Sequence, residues 1–277
     1  MHKTAKIFLI LFAFVFSNIQ AQSRVLQKGE DLIYVVRYGF IKLGEVTFHL
    51  TDSFTEDSSK IYTANATMKS YEGIPFVGIN YTFETMMKQI KGQVVSIEFH
   101  SSDFKEQHGE KYKVNTDCYF LYDSNFIKVN KYRTNSSGVY QYDMTDKKFP
   151  ITQGEYYQDG LSMFYNARLA SLKKSSESRR NTLVFVNEKE SSLKYSFNFA
   201  RDAVSGDLVD YDMAAIKIAG VADFVGVLGL TGEFEAWLSD DEARVPLKAK
   251  FNIMIGSVTL ELSSYTRSGW TPPRYSI

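Results

Sequence analysis

The feature that most constrains this chain is alternation. Leu32, Tyr34, Val36 and Tyr38 alternate with Ile33, Val35 and Arg37, and Val46, Phe48 and Leu50 alternate with Thr47 and His49. Side chains that repeat every second residue lie on one face of an extended strand. The two runs flank Gly39–Gly44 and read as a hairpin. Ile61–Met68 continues the pattern as a third strand. Further strands are expected at Val94–His100, Lys111–Asn115, Cys118–Tyr122, Phe126–Arg133 and Val139–Met144. Turn-rich pieces at Ser101–Asp103, Asp123–Asn125 and Asn135–Gly138 separate them. After residue 180 come Leu183–Val186, Leu193–Phe199, Asp210–Ile218, Glu233–Leu238, Val245–Ile253 and Ser257–Tyr265. The 18 Tyr, 21 Phe and only 5 Pro support this, because aromatic residues suit a pleated, half-buried surface.

Asp159–Lys174 breaks the period. Leu161, Phe164, Tyr165, Arg168, Leu169 and Leu172 recur at helical spacing, Asp159 stands where an N-cap belongs, and Ala167 and Ala170 favour the helix. Tyr81–Gln89, with Phe83, Met86 and Met87, is a second helical candidate. The expected fold is therefore mainly β, a curved antiparallel sheet forming an open or closed barrel, with one central α-helix over about 159–174. Closing or nearly closing such a sheet disposes of its edges. No low-complexity linker divides residues 22–277, which are read as one mostly-β domain with a possible seam near 171–180.

The N-terminus has the form of a secretory signal peptide over residues 1–21. Lys3 and Lys6 precede the apolar run Ile7–Phe16, and Ile19-Gln20-Ala21 is a small-residue cleavage site. The run is too short for a membrane span, which needs about 20 apolar residues. Ile216–Leu230 is also rejected as a span, because Lys217 and Asp223 interrupt it and a charge at mid-bilayer costs roughly 3 kcal/mol. No cysteine stands at the cleavage site, so a lipoprotein anchor is not expected. Cys118 is the one cysteine and no intramolecular disulfide is possible. A periplasmic or secreted location follows as the expectation. With 32 Lys and Arg against 32 Asp and Glu, the chain lacks the basic excess of a nucleic-acid binder. The basic patch Lys173, Lys174, Arg179 and Arg180 reads as a solvated helix end and loop, with contact to an anionic membrane surface as the sharper alternative.

Chemistry-bearing motifs are sparse. His100, Asp103, Glu106, His108 and Glu110 are metal-capable types, but their spacing matches no metal signature and a strand end or hairpin loop is expected. Cys118, alternating with Phe120 and Tyr122, reads as a small buried hydrophobe. There is no G-x-S-x-G elbow, P-loop, G-x-G-x-x-G turn or H-E-x-x-H helix. Gly220–Gly232 is apolar and glycine-rich. Phe224, Val225, Leu228 and Leu230 are its candidates to line or gate an apolar pocket, the alternative being packing under the sheet. Asp240, Asp241 and Glu242 form an acidic cluster between two apolar runs. A hairpin loop capped by an Asp is the expected role, with one of Asp240 and Asp241 accepting backbone N–H bonds and Arg244 pairing with a neighbouring carboxylate, for instance on the central helix.

These segments carry a resemblance. GEDLIYVVRYGFIKLGEVTF resembles the opening hairpin of the DUF3108 family of exported bacterial proteins. QDGLSMFYNARLAS is similar to its D-x-x-S-x-x-Y-x-x-R segment, filled by Asp159, Ser162, Tyr165 and Arg168. WLSDDEARVP resembles its W-x-S-D-D-x-x-R-x-P signature, with Trp237, Ser239, Asp240, Asp241, Arg244 and Pro246 in place. The resemblance implies an exported antiparallel β protein and supplies no reaction; the motif residues are expected to be structural. The leading functional expectation is non-enzymatic binding of a lipid or other apolar or amphipathic small molecule in the cell envelope. A structural or protein-interaction module without a pocket, with an envelope protein as partner, is the alternative. A carboxylate-dependent hydrolase using Asp240 and Asp241 is the third. No catalytic residue, metal or cofactor is assigned.

Overall fold

The computed structural model describes residues 24–74, 78–172, 179–226, 231–253 and 256–276. The expected signal peptide over residues 1–21, residues 173–178 of the expected seam, and with them Lys173 and Lys174, lie outside these residues.

Two antiparallel meanders share one sheet. The first comprises β1 (Glu30–Tyr38), β2 (Ile41–Glu56), β3 (Ser59–Ser70), β4 (Asn80–Ile90), β5 (Gln93–Gln107), β6 (Glu110–Leu121), β7 (Phe126–Asn135) and β8 (Tyr140–Pro150). The second comprises β9 (Arg179–Val186), β10 (Lys189–Val204), β11 (Met213–Ala222), β12 (Gly232–Ser239), β13 (Pro246–Asn252) and β14 (Ser257–Thr266). The first and last strands pair, so the order is β8 through β1, then β14 through β9. The sheet is curved but does not close by hydrogen bonds: β8 and β9 are its two edges. Side chains span the gap instead. Phe149 meets Phe185 with ring centroids 5.2 Å apart, and Lys147 meets Glu188 at 2.7 Å.

Alternation sorts the two faces. Across β1–β7 the inward row is Leu32, Phe48, Ala66, Phe83, Ser101, Thr116 and Lys131. The neighbouring outward row over β1–β6 is Asp31, His49, Asn65, Glu84, His100 and Asp117. Apolar surface is thereby buried on the concave side, at about 25 cal/mol per Å2, and carboxylates and imidazoles keep their water.

The strand expectations hold, most with longer bounds; Asp210–Ile218 shifts to β11 and Val245–Ile253 shortens to β13. Lys111–Asn115 and Cys118–Tyr122 merge into β6. Two readings are corrected. Tyr81–Gln89 is not helical but lies in β4, paired on both sides. Tyr81, Phe83, Thr85 and Met87 take the inward face, a period of two that the adjacent Met86 and Met87 obscure. Ser101–Asp103 is not a turn but the middle of β5. Its local polar groups are satisfied across the sheet: the Ser102 hydroxyl donates to Asn115 at 2.7 Å, and the Asn115 amide donates to Thr134 at 3.0 Å. The glycine at 220 also belongs to a strand. A Cβ there would stand 2.4 Å from the Lys194 carbonyl oxygen, so this glycine serves close approach rather than mobility.

The helix α1 (Ser162–Ala170) lies on the concave side between the meanders, shorter than the expected 159–174. Leu161, Tyr165 and Leu169 pack on Leu50, Tyr62, Ala64, Met87 and Val94 of the first meander. Met163 and Ala170 face Val184, Phe197 and Ile216 of the second. Phe164 stacks on Phe48 at 4.1 Å. The chain entering the helix is itself a stitch. Ser96 on β5 donates its N–H to the Tyr157 carbonyl at 3.0 Å, while the Gln158 main chain exchanges bonds of 2.9 and 2.8 Å with Leu183 and Phe185 of β9.

On the outer face, His100 sits 2.8 Å from Asp117, and this hydrogen bond holds its pKa above the usual imidazole value against the effect of burial. A raised folded-state pKa stabilises the fold fully below the unfolded value near 6.5, and the contribution is lost as pH rises through the folded value. Replacing His100 with Gln is therefore expected to lower stability at pH 5.5 more than at pH 8.5, measured by urea unfolding at both. An equal loss at the two pH values contradicts the pairing.

Candidate functional site

A cleft of about 610 Å3 opens on the concave side, within the range of small-molecule sites. Val46, Phe48, Ala66, Met68, Tyr81, Phe83 and Phe99 form an apolar wall over β2–β5. Tyr81 and Phe83 are stacked at 5.7 Å, and Phe83 and Phe99 at 6.2 Å. The wall becomes polar toward β7, where Ser101, Asp103, Thr116 and Lys131 line it. Gly160 and Leu161 contribute at the entry to α1. Val186, Asn187 and Glu188, at the β9–β10 turn, and Gly226 form the opposite lip. The cleft thus belongs to both meanders.

Cys118 lines this cleft, on the inward face as its alternation with Phe120 indicates. Burial pushes its thiol pKa up to about 12, so the thiol stays protonated and unreactive at neutral pH. Of the apolar loop candidates, Phe224 packs with the Val184, Phe197 and Ile216 cluster and Val225 is 53% exposed. Gly226 is their neighbour that reaches the cleft. Leu228 and Leu230 lie outside the described residues. The His100–Glu110 constellation disperses: Asp103 faces the cleft, His100 faces outward to Asp117, and His108 occupies the β5–β6 turn with φ 52°. No group of three or more His, Cys, Asp or Glu among the described residues could hold a metal ion.

The motif residues do not line the cleft; they hold the helix entry, which reaches it through Gly160 and Leu161, and the β12–β13 loop. Asp159, fully buried, caps the helix: one carboxylate oxygen accepts the N–H groups of Leu161 and Ser162 at 2.6 and 2.8 Å. The other accepts the hydroxyls of Thr85 at 2.5 Å and Ser96 at 2.7 Å, which ties the helix entry to β4 and β5. Burial raises the Asp159 pKa, and these donors oppose the rise. All of them point hydrogens at the carboxylate, an arrangement that suits its ionised form. Ser162 closes the network at 2.7 Å from the Ser96 hydroxyl. Tyr165 is buried edge-on to Phe164.

Arg168 is wholly buried, and its guanidinium binds both oxygens of the Glu30 carboxylate at 2.5 and 2.9 Å. It also donates to the carbonyls of Val25 (3.0 Å), Ala243 (3.2 Å) and Arg244 (3.1 Å). Arg267 binds Glu30 as well, and donates to the Arg24 carbonyl. Burial pulls the pKa of both arginines down to about 10, which leaves them charged at neutral pH.

The acidic cluster is the expected capped loop. Asp241 accepts the N–H groups of Ala243 (3.0 Å) and Arg244 (3.2 Å), the Ser239 hydroxyl (2.7 Å) and the Trp270 indole N–H (2.7 Å). Arg244, at φ 48°, occupies the left-handed region that this turn requires. Its partner is Asp240 in its own loop, at 3.3 Å. The pairing anticipated with a carboxylate of the central helix is replaced by Arg168, a cation of the helix that binds the loop's carbonyls. Asp240 also receives Arg201 at 2.9 Å. Burial works against its charge, but hydrogen bonds from Arg201 and Arg244 outweigh this and hold its pKa below the usual range. Trp237 donates its indole N–H to Asp202 at 2.8 Å. Sequence reading missed Glu30 and Arg267, which carry no local pattern, and Lys131 and Tyr81, whose inward placement depends on register.

The class this arrangement defines is an open, barrel-like β protein with a cleft on its concave face. The chain belongs to the DUF3108 family, described as proteins of unknown function, whose model matches residues 33–263. Its fold is similar to that of a beta-barrel-like protein of the DUF1849 family from Brucella abortus, with a TM-score of 0.50 and 11% identity over 87% of this chain and 98% of that one. A protein of YmcC-like fold from Bacteroides fragilis matches over 87% of this chain and 97% of its own, with 8% identity and a TM-score of 0.38. No curated protein matches the sequence.

Two outcomes are expected. Arg168→Met leaves Glu30 with one partner fewer and three carbonyls without a donor, and should cost about 3–5 kcal/mol in urea unfolding; a cost under about 1 kcal/mol contradicts the assigned role. Cys118 should react with a maleimide far more slowly in the native protein than in urea, and equal rates would contradict its burial.

Proposed function

We propose that this chain binds an apolar or amphipathic small molecule in the concave cleft and performs no chemistry on it, acting in the bacterial envelope after export. The cleft is the observation that carries this reading. Val46, Phe48, Ala66, Met68 and Phe83 are set side by side around an open space, where a packed core would be filled. The signal-peptide form of residues 1–21 supports the envelope setting. The hydrolase alternative loses support because Asp240 and Asp241 are engaged with arginines, main-chain N–H groups and Trp270.

One observation favours the alternative of a protein-interaction module. Edge strand β8 exposes Tyr140, Tyr142 and Met144, and an unpaired edge is a place where a partner strand can add. An envelope partner bound there is compatible with a filled cleft.

The test is uptake by delipidated protein. Wild type should retain a fatty acid or phospholipid from a mixed extract, as identified by mass spectrometry, and Phe83→Asp, which puts a charge on the apolar wall, should retain at least tenfold less. No retained lipid in the wild type, or equal retention in the variant, would overturn the reading.

A further inference from the structure

Charge pairing in the cleft narrows the ligand. Three charged side chains line it: Asp103, Lys131 and Glu188. Asp103 is already neutralised by Lys105 at 2.7 Å, and Glu188 by Lys147 at 2.7 Å. Neither of those lysines lines the cleft. Lys131, half-buried on the inward face of β7, has no ion pair or hydrogen bond from its ammonium group among the described residues. Its row neighbours are hydroxyls: Ser101 on β5 aligns with Thr116 on β6, and Thr116 with Lys131. The same row continues in the other direction through Phe83, Ala66 and Phe48. One row across the sheet thus runs from an aromatic and methyl-bearing floor to two hydroxyls and a single uncompensated cation.

Resting on the binding function proposed above, we propose that the ligand is a single-chain amphiphile with a carboxylate head, a long-chain fatty acid in chemical class. The carboxylate binds the Lys131 ammonium group, with Ser101 and Thr116 as hydroxyl donors. The hydrocarbon chain lies along Phe83, Ala66 and Phe48. One unmatched positive charge balances one carboxylate. A dianionic phosphate monoester would leave excess negative charge beside Asp103 and Glu188, and an alkylammonium head would set two cations together. A neutral head would leave the ammonium without a counter-charge, although a charged group is costly to shield from water without a partner.

The experiment measures displacement of the neutral probe N-phenyl-1-naphthylamine from the delipidated full chain by hexadecanoate, hexadecan-1-ol and hexadecyl phosphate. Hexadecanoate should bind about 10- to 100-fold tighter than the alcohol, the value of a shielded charge-assisted hydrogen bond, and tighter than the phosphate. Lys131→Met should bring hexadecanoate down to the alcohol's affinity and leave the alcohol unchanged. Lys131→Arg should retain the preference, and Lys128→Met, on the outward face, should change nothing. Equal binding of acid and alcohol in the wild type, or a preference for the acid that survives Lys131→Met, would overturn this inference and leave the binding function standing. Tighter binding of the phosphate would overturn the carboxylate assignment. Failure of all three ligands to displace the probe would count against the binding function itself.

Discussion

The ion triad of Arg168, Glu30 and Arg267 is the constraint on which the rest of this structure depends. A charged group is stable away from water only when its partners are complete. Here completing them requires five parts of the chain at once: the N-terminal segment through Arg24 and Val25, β1 through Glu30, the helix through Arg168, the β12–β13 loop through Ala243 and Arg244, and the C-terminal segment through Arg267. None of these contacts is local. Because β1 also pairs with β14, the first and last strands meet at the same place. The fold is thereby locked where its two meanders join, and the opposite edges, β8 and β9, are bridged by side-chain contacts and by the Gln158 main chain bonded to β9.

That division explains where the cleft lies. The sheet has a full hydrogen-bond ladder at its centre, whereas its two edges are joined, among the described residues, by Phe149, Phe185, Lys147, Glu188 and the Gln158 main chain. The helix fills the concave side beside the triad, and the cleft occupies the space left beyond the helix entry, between β2–β7 and the β9–β10 turn. Asp159 determines that geometry. It caps the helix and anchors the entry to Thr85 and Ser96, so the side of the cleft formed by Gly160 and Leu161 is held by a buried carboxylate.

Much of the fold was legible because period-two alternation is a local property. Leu32–Tyr38 and Val46–Leu50 announced β1 and β2 and their inward faces, and Leu161, Tyr165 and Leu169 announced the buried side of the helix. The failures have one physical origin. Between Met86 and Met87 the β4–β5 register shifts, and apolar residues placed three and four apart imitate a helix. Ser101–Asp103 looked like a turn because serine and aspartate bond their own backbone in isolation, whereas here a neighbouring strand supplies the partner. The site was less legible than the fold. The motif residues Asp159, Arg168 and Asp241 could be named in advance, but Glu30 and Lys131 acquire their roles only from strands distant in sequence. The acidic loop could be read in advance as a turn capped by an Asp, and Asp241 does accept its main-chain N–H groups, whereas the cleft is built largely from residues that local sequence left unremarkable.

The most direct measurement is an experimental structure of the delipidated chain with hexadecanoate. The account predicts a single alkyl chain along Phe48, Ala66 and Phe83, with the carboxylate within hydrogen-bonding distance of the Lys131 ammonium group. An empty cleft at saturating ligand, or a chain bound with its carboxylate turned away from Lys131, would contradict it.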